Sequence, residues 1–368
     1  MRQRDYEQWL CGLDGIGLKK IQRLLEVFFT PQAVYEASEE ELRKVKGIGD
    51  KELHIILENR CSGWFEKQKN VLEQHGIRNI CYLEKNYPEP FRHLYTPPKQ
   101  IYYIGKMPME KKCVGIVGAR NCSHYGREQA RRFAYELAKA GIGIVSGMAR
   151  GIDGWAHQGA LEGGGNTYAV LGNSPEICYP KEHEKLYQSI LKRGGVLSEY
   201  PPGTEARPGF FPMRNRLISA LSDGILVVEA KRKSGSLITA KEALEQGKDV
   251  FVVPGRIGDE LSEGCNALIK QGAYLVTTPV DIMEHYGVFQ EKKKENFVNL
   301  NFFLESKEEM VYASLRLEPK HVSALATELK MELTPLMKCI YALSKRGLIK
   351  EVGNHYYIRN SIPNEKSN

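Results

Sequence analysis

Residues 117–126 of this 368-residue chain read VGARNCSHYG, and this stretch carries the pattern that decides the fold. It follows an apolar run at 114–117 and leads into an amphipathic segment, which predicts a buried strand, a glycine turn and a helix from Arg127. Gly118 permits close backbone approach, the amides of a helix start favour an anion, and Arg120 carries a planar charged fork suited to phosphate. The stretch fits either a phosphate site or a tight turn with a solvated arginine. Because it is not a GxGxxG fingerprint, dinucleotide binding gains little support.

The same strand–loop–helix unit repeats through the central part of the chain. Such alternation implies a mostly parallel sheet with helices on both faces. The predicted fold class is therefore α/β, with an extended Rossmann-like, mostly parallel sheet. Apolar strands are predicted at residues 101–104, 114–117, 142–145, 168–171, 196–198, 225–229 and 250–253.

Other predicted strands also end in turns that suit an anion. The segment SGMARGID places Ser146 and Gly147 directly after a strand. The segment SGSLITA places Ser234 and Gly235 at the start of a helix, where the hydroxyl and the amides either bind phosphate or cap the helix. A third segment, YPKEH, supplies the cation Lys181 near a strand end.

Asp153 and His157 lie one turn apart at the start of the helix after SGMARGID. They form either an acid–base pair or a helix cap followed by a packed, hydrogen-bonded histidine. We favour the cap, because no nucleophile or set of metal ligands accompanies the pair.

Residues 207–216, RPGFFPMRNR, interleave arginines with phenylalanines, a composition suited to phosphates and unpaired bases. If the segment is extended, adjacent side chains face opposite sides, so one ring is buried while the other stacks on a base. We assign the stacking role to Phe211, with Arg207 and Arg214 on adjacent phosphates. The alternative buries the rings and places Arg214 or Arg216 in ion pairs.

The flanks of the central part differ from it in pattern. Two glycine turns, LDGIG at 13–17 and VKGIG at 45–49, each open an amphipathic helix and resemble paired helix-hairpin-helix motifs. They either hold a phosphate or only close tight turns, and acidic residues beside them disfavour phosphate. Three short helices and a hairpin near the C-terminus have the outline of a winged helix. The predicted divisions are a helical domain 1–62, a Rossmann-like DNA-binding domain 63–288, a charged linker 289–303, a winged helix 304–360 and a disordered tail 361–368.

Composition narrows the class of protein. The net charge of +7 suits a polyanionic partner. Eight scattered cysteines without a CxxC pair or a zinc-finger histidine spacing indicate reduced thiols and no metal site. Neither a signal peptide nor a membrane-spanning run is present in the sequence, so a cytoplasmic protein without membrane insertion is expected.

Several sequence blocks together resemble the DprA/Smf family of DNA-processing proteins. Their order and density between residues 118 and 273 carry the resemblance, and the flanking domains fit it. The blocks are GARNCSHYG (118–126), SGMARGID (146–153), AHQGAL (156–161), YAVLGN (168–173), LSEYPPGT (197–204), FPMRNRLISALS (211–222), VVEAKRKSGSLITA (227–240) and VPGRIGDELSEGCNALIKQGA (253–273).

The resemblance implies a homodimer that binds single-stranded DNA, protects incoming strands and loads the RecA recombinase during natural transformation, with no catalysis and no cofactor. By motif position, Arg120 corresponds to the family's GxR phosphate contact and 207–215 to its second DNA-contacting loop. Lys181 corresponds less well, since its loop departs from the YP-x-x-N form, and Asn173 stands where glycine is common. The candidate DNA-binding residues are Gly118, Arg120, Ser123, Ser146, Gly147, Lys181, Arg207, Phe211, Arg214, Asn215, Ser234 and Gly235.

Two other functions compete with DNA binding. A Rossmann-like phosphoribohydrolase would act on nucleotides, but the chain lacks the PGGxGT motif, although Glu199 or Glu229 resembles its catalytic acid. A winged-helix transcription regulator would use residues 335–346 as its recognition helix. That helix contains only three cations, Lys338, Lys345 and Arg346, which are few for a recognition helix that binds duplex DNA.

Overall fold

A nine-stranded sheet organises the first part of the chain in the computed structural model, which describes residues 2–60, 62–288, 306–316 and 318–360. The strand order is β1-β2-β6-β5-β4-β3-β7-β8-β9. The strands from β6 to β9 in this order run parallel, whereas the β1–β2 and β2–β6 pairs are antiparallel. The strands are Arg78–Cys81, Gln100–Gly105, Cys113–Val117, Gly143–Ser146, Thr167–Val170, Gly195–Ser198, Gly224–Val227, Asp249–Val252 and Tyr274–Leu275, numbered β1 to β9.

The central strands are apolar because helices cover both faces of the sheet. Every residue of β3 through β7 is buried. Gly115 in β3 is needed for this packing, since a Cβ there would lie 2.3 Å from Ile225 Cδ1 and 2.8 Å from Ser222 Oγ. The α/β prediction is thus confirmed. The helices of this part are α7 Glu89–Arg92, α8 His124–Lys139, α9 Ile152–Glu162, α10 Glu184–Arg193, α11 Phe210–Ala220, α12 Gly235–Glu245, α13 Glu263–Lys270 and α14 Pro279–His285.

The chain reverses its direction of travel across the sheet between β3 and β7. It passes from β3 outward through β4 and β5 to β6, and then returns to place β7 on the other side of β3. In open α/β sheets such a reversal leaves a crevice at the carboxyl ends of the strands, where ligands bind. The loops after β3 and β7 are therefore neighbours although about 110 residues separate them in sequence.

Six helices precede the sheet and contain the internal repeat. Gly15 and Gly47 adopt positive φ angles of 84° and 88° in the turns before α2 and α5, which favours glycine at both positions. The helices pack around Trp9 and Leu24, both fully buried. They are α1 Gln3–Gly12, α2 Leu18–Phe28, α3 Pro31–Glu36, α4 Glu39–Arg43, α5 Asp50–Glu58 and α6 Ser62–Gln74.

The C-terminal part contains the three helices and the hairpin expected from the sequence. They pack around Leu325, Leu336 and Leu343, and a short first strand extends the sheet to the order β10-β12-β11. The assignment of this part as a winged helix stays a prediction. Its elements are α15 Ser306–Ser314, β10 Lys320–His321, α16 Val322–Leu329, α17 Leu333–Lys345, β11 Ile349–Gly353 and β12 Tyr356–Arg359.

Two compact units comprise the described residues. The first contains the residues up to Cys122 and from Gln129 to Val288, and the second contains the residues from 306 onward together with Ser123–Glu128. The predicted linker 289–303 and the predicted tail 361–368 lie outside the described residues. No helix in the described part of the chain is long and apolar enough to cross a membrane.

Two local predictions are wrong. Helix α8 begins at His124 rather than at Arg127, because the Ser123 hydroxyl accepts a hydrogen bond from the Gly126 amide at 3.0 Å and stabilises the first turn. The segment 207–215 is not extended throughout, since α11 begins at Phe210. Pro212 falls in the first turn of that helix, where its missing amide hydrogen costs nothing.

Candidate nucleic-acid interface

A cleft of about 490 Å³ lies at the carboxyl ends of β3 and β7, and we call it the switch-point cleft. Three segments line it: the loop after β3, the start of α11, and the loop after β7 with the start of α12. The cleft therefore occupies the crevice that the reversal of strand order creates. It brings together seven predicted residues: Gly118, Arg120, Phe211, Arg214, Asn215, Ser234 and Gly235.

The loop after β3 supplies a close-packed backbone and an exposed cation. A Cβ on Gly118 would lie 2.6 Å from Ile152 Cγ1 and 2.9 Å from the Glu229 carbonyl oxygen, so this turn has no room for a side chain. Arg120 is exposed, and its guanidinium carbon lies 5.4 Å from the ring centroid of Phe211. A permanent positive charge and an aromatic ring are thus adjacent at the cleft.

The opposite wall is the start of α12. Ser234 is the N-cap residue, and its hydroxyl accepts from the Ser236 amide at 3.3 Å. Gly235 begins the helix and is exposed, and a Cβ there would meet open space. The partial positive charge of a helix N-terminus therefore faces the cleft.

Sequence reasoning missed two lysines in this wall. Lys231 and Lys233 are exposed and line the cleft just before Ser234. Lys231 also pairs with Glu260 at 2.7 Å. The signal that identifies them is the run KRK immediately before a glycine-serine turn, which lies within one of the family-like blocks.

Arg214 was expected to contact a phosphate, but the structure buries its side chain. It is 4% exposed and donates hydrogen bonds to the Gly147 carbonyl at 2.8 Å and to the Val170 carbonyl. Burial lowers the pKa of Arg214 to about 10, so it remains charged at neutral pH. Arg214 therefore joins the carboxyl ends of β4 and β5 beneath the cleft.

Ser146 and Gly147 also serve packing rather than the surface. Ser146 is fully buried and its hydroxyl donates to the Ile116 carbonyl at 2.6 Å, so the expectation that it contacts DNA is corrected. Gly147 is buried, and a Cβ there would lie 2.4 Å from Arg214 Nη1. The glycine thus makes room for the buried guanidinium.

Asp153 and His157 do not form an acid–base pair. Asp153 does not cap α9 as expected, because its carboxylate accepts a hydrogen bond from the Gly147 amide at 3.1 Å instead. Burial raises the pKa of this carboxyl group. His157 is fully buried, with Nδ1 2.6 Å from Thr167 Oγ1, and burial lowers its pKa to about 3. The interpretation of a packed, hydrogen-bonded histidine is confirmed.

The two phenylalanines at the start of α11 have different neighbours. Successive residues of a helix are about 100° apart around its axis, so the two rings point in different directions. Phe211 is half-buried in the switch-point cleft, 5.5 Å from the ring of Tyr179. Phe210 lies outside this cleft and stacks on Tyr200 at 4.1 Å with an interplanar angle of 21°. Tyr179, 46% exposed, is an aromatic residue that sequence reasoning did not single out.

The remaining predicted residues do not line the switch-point cleft. Arg207 is exposed, with its guanidinium carbon 5.8 Å from the Phe210 centroid. Lys181 is exposed in the short 3₁₀ helix that follows Tyr179 and Pro180, and Ser123 stabilises the start of α8. Asn173 is buried and donates to the Ser174 and Ile177 carbonyls at 2.9 and 2.7 Å, which stabilises its turn without a glycine.

Two stretches of the chain match known protein families. Residues 78–287 match the family model described as DNA recombination-mediator protein A, and residues 8–58 match a SAM-like helix-hairpin-helix tandem. The chain is 40% identical over 233 residues to the DNA processing protein DprA of Bacillus subtilis, which covers 62% of this chain and 78% of the relative. It is 44% identical over 264 residues to the protein Smf of Escherichia coli, covering 61% and 70%.

Two solved structures share the fold at higher than 30% identity. The X-ray structure of DprA from Streptococcus pneumoniae matches with a TM-score of 0.65 and 33% identity, covering 76% of this chain and 97% of that one. A DprA structure from Helicobacter pylori, whose description concerns its single-stranded DNA binding mode, matches with a TM-score of 0.52 and 33% identity, covering 57% and 95%. The family model and these relatives establish that the chain belongs to the DprA/Smf family of DNA-processing proteins.

Proposed function

We propose that the protein binds single-stranded DNA in the switch-point cleft and does not catalyse a reaction. The observation that carries the proposal is that one cleft is lined by Arg120, Lys231, Lys233 and Phe211, together with the glycine turn after β3 and the helix N-terminus of α12. Cations and backbone amides suit phosphate oxygens, whereas a partly exposed aromatic ring suits an unpaired base. The relative from Helicobacter pylori supports the choice of a single strand.

The geometry favours a single strand over a duplex. The bases of a duplex are stacked on one another, so Phe211 and Tyr179 gain a partner only when a base is unpaired. Phosphate contacts release counterions, so affinity falls as salt rises. Among the predicted residues, Gly118, Arg120, Phe211, Asn215, Ser234 and Gly235 form the proposed contact set within the cleft. Ser123, Lys181 and Arg207 are proposed only for the path of the strand beyond it.

Titration of labelled oligothymidylate and of blunt duplex, each at two salt concentrations, tests the proposal. We expect tighter binding of the single strand and a steep loss of affinity with salt. Arg120→Ala and Lys233→Ala should weaken binding uniformly across sequences and lower the salt slope by about one each. Arg193→Ala, an exposed arginine at the end of α10 and outside the cleft lining, is the matched control. Tighter binding of the duplex would overturn the proposal.

The hydrolase alternative finds little support in the positions of its candidate acids. Both carboxylate oxygens of Glu199 accept from Arg216, at 2.9 and 2.6 Å, as the structural alternative for Arg216 anticipated. Glu229 is buried, and neither carboxylate lines the switch-point cleft. Turnover of nucleoside monophosphates by the purified protein would favour the hydrolase.

The finer biological role rests on the family resemblance. We propose a cytoplasmic homodimer that protects incoming DNA and loads RecA onto it during natural transformation. Sedimentation equilibrium tests the dimer. The assembly of RecA filaments on strands coated with single-strand binding protein, with and without this protein, tests the loading.

A further inference from the structure

A second cleft, much larger than the first, lies between the N-terminal helices and the β1–β2 edge of the sheet. Its volume is about 1890 Å³, and we call it the N-terminal cleft. Aromatic side chains from several elements line it, namely Trp64, Tyr102, Tyr103, Tyr200 and Phe210. An aromatic-lined cleft of this size accommodates several stacked bases or a comparable flat ligand.

Two adjacent residues at the start of α11 line the two clefts, one each. Phe210 lines the N-terminal cleft and Phe211 lines the switch-point cleft. Their Cα atoms are neighbours in the chain, so about 3.8 Å of backbone separates the two linings. A strand that leaves the switch-point cleft on this side therefore crosses a ridge formed by these two residues.

On the side of the N-terminal cleft, the ridge carries aromatic rings on which a base can stack. Tyr200 and Phe210 stack in parallel at 4.1 Å and present a preformed aromatic pair. The Tyr200 hydroxyl is neutral at neutral pH, and burial, which raises its pKa to about 12, keeps it neutral in alkaline buffers as well, so it does not repel phosphate. Arg207 is exposed beside Phe210 and adds a permanent positive charge at the crossing.

The described lining of the N-terminal cleft contains six cationic and six acidic side chains, so it carries no net negative charge. Two of its carboxylates are neutralised, Glu199 by Arg216 at 2.6 Å and Glu84 by Arg4 at 2.9 Å. A third acid, Glu73, lies 3.7 Å from the ammonium nitrogen of Lys69, so cations of the cleft offset its charge too.

We infer that a single strand bound in the switch-point cleft continues over the Phe210–Phe211 ridge into the N-terminal cleft. There an unpaired base stacks on the Tyr200–Phe210 pair, and Arg207 contacts the phosphate at the crossing. This inference rests on the proposed function and extends it, because it assigns a second subsite to residues outside the first cleft. The subsite takes any base, since every base offers a π face.

An oligothymidylate series from about 4 to about 16 nucleotides, the range of site sizes of single-strand binding modules, separates the two subsites. Wild-type affinity should rise with length beyond the shortest oligomer that fills the first cleft. Tyr200→Ala should weaken binding of the long oligomers roughly 5- to 150-fold, the equivalent of one lost base stack, and leave the shortest oligomer unaffected. Tyr95→Ala, which removes a ring 98% exposed and outside both linings, is the matched control.

Arg207→Ala keeps the test decisive if the Tyr200 variant melts early. Arg207 is exposed, so its loss should not affect folding, yet it should lower the salt slope by about one for long oligomers only. Wild-type binding that does not increase with length, or variants that bind long oligomers like wild type, would overturn the inference while leaving the first subsite intact. Absence of wild-type binding at every length would instead overturn the proposed function.

Discussion

Replacing Arg214 should affect stability far more than DNA contact. In Arg214→Ala the carbonyls of Gly147 and Val170 lose their buried donor, and Asp153 loses the nearby positive charge that favours its ionised form. Each hydrogen bond from a charged donor contributes about 1.5–3 kcal/mol, so the two together predict a loss of about 3–6 kcal/mol. At about 2–4 °C per kcal/mol, the value for a domain of roughly 150–250 residues, the melting temperature should fall by roughly 6–24 °C.

Two further variants, measured in the same thermal melts and titrations, distinguish the loss of hydrogen bonds from the loss of side-chain volume, and the loss of stability from the loss of DNA affinity. Arg214→Met restores much of the side-chain volume without the hydrogen bonds, so it should recover only a minor part of the lost stability. Arg120→Ala should show the opposite profile, with weakened single-strand affinity and a nearly unchanged melting temperature, because that side chain is exposed. A stable Arg214→Ala protein that has lost DNA affinity would refute the structural role of Arg214 and would support a contact between its side chain and a phosphate.

Three other predictions concern different parts of the chain. His157 has a pKa of about 3 when folded against 6.5 in the unfolded chain, so only the unfolded state gains a proton between these values. Stability should therefore fall as the pH drops from about 6.5 to about 3, and melts of His157→Gln should show a shallower dependence. Phe211→Ala should weaken single-strand affinity by about 1–3 kcal/mol and cost less than the 3–5 kcal/mol of a fully buried ring, because the ring is only half-buried; titration and melting together check both. A fragment of residues 1–288 should keep most of the single-strand affinity, since it retains the cleft; a folded fragment without affinity would give the C-terminal part the main role.

The sequence alone was sufficient to predict a mostly parallel sheet with helices on both faces, seven of its nine strands, and the helical repeat before it. Strands buried on both faces read as short apolar runs, and glycine turns punctuate them, so local pattern and tertiary structure agree there. The family-like blocks also identified Arg120, Gly118 and the turn at Ser234, because strand-to-helix turns that approach anions need small residues wherever they occur.

Which turns share a cleft, and which arginines reach it, depends on long-range packing that the sequence pattern does not show. The loops that hold Gly118 and Ser234 line one cleft because the strand order reverses between β3 and β7. Strand order depends on long-range pairing, which the local hydrophobic pattern does not show. Arg214 is buried because carbonyls of two distant strands accept its donors, whereas the sequence shows only one arginine among several. Phe210 and Phe211 line different clefts because the chain is helical rather than extended at their position. Successive side chains point in opposite directions along a strand, whereas around a helix axis they are about 100° apart.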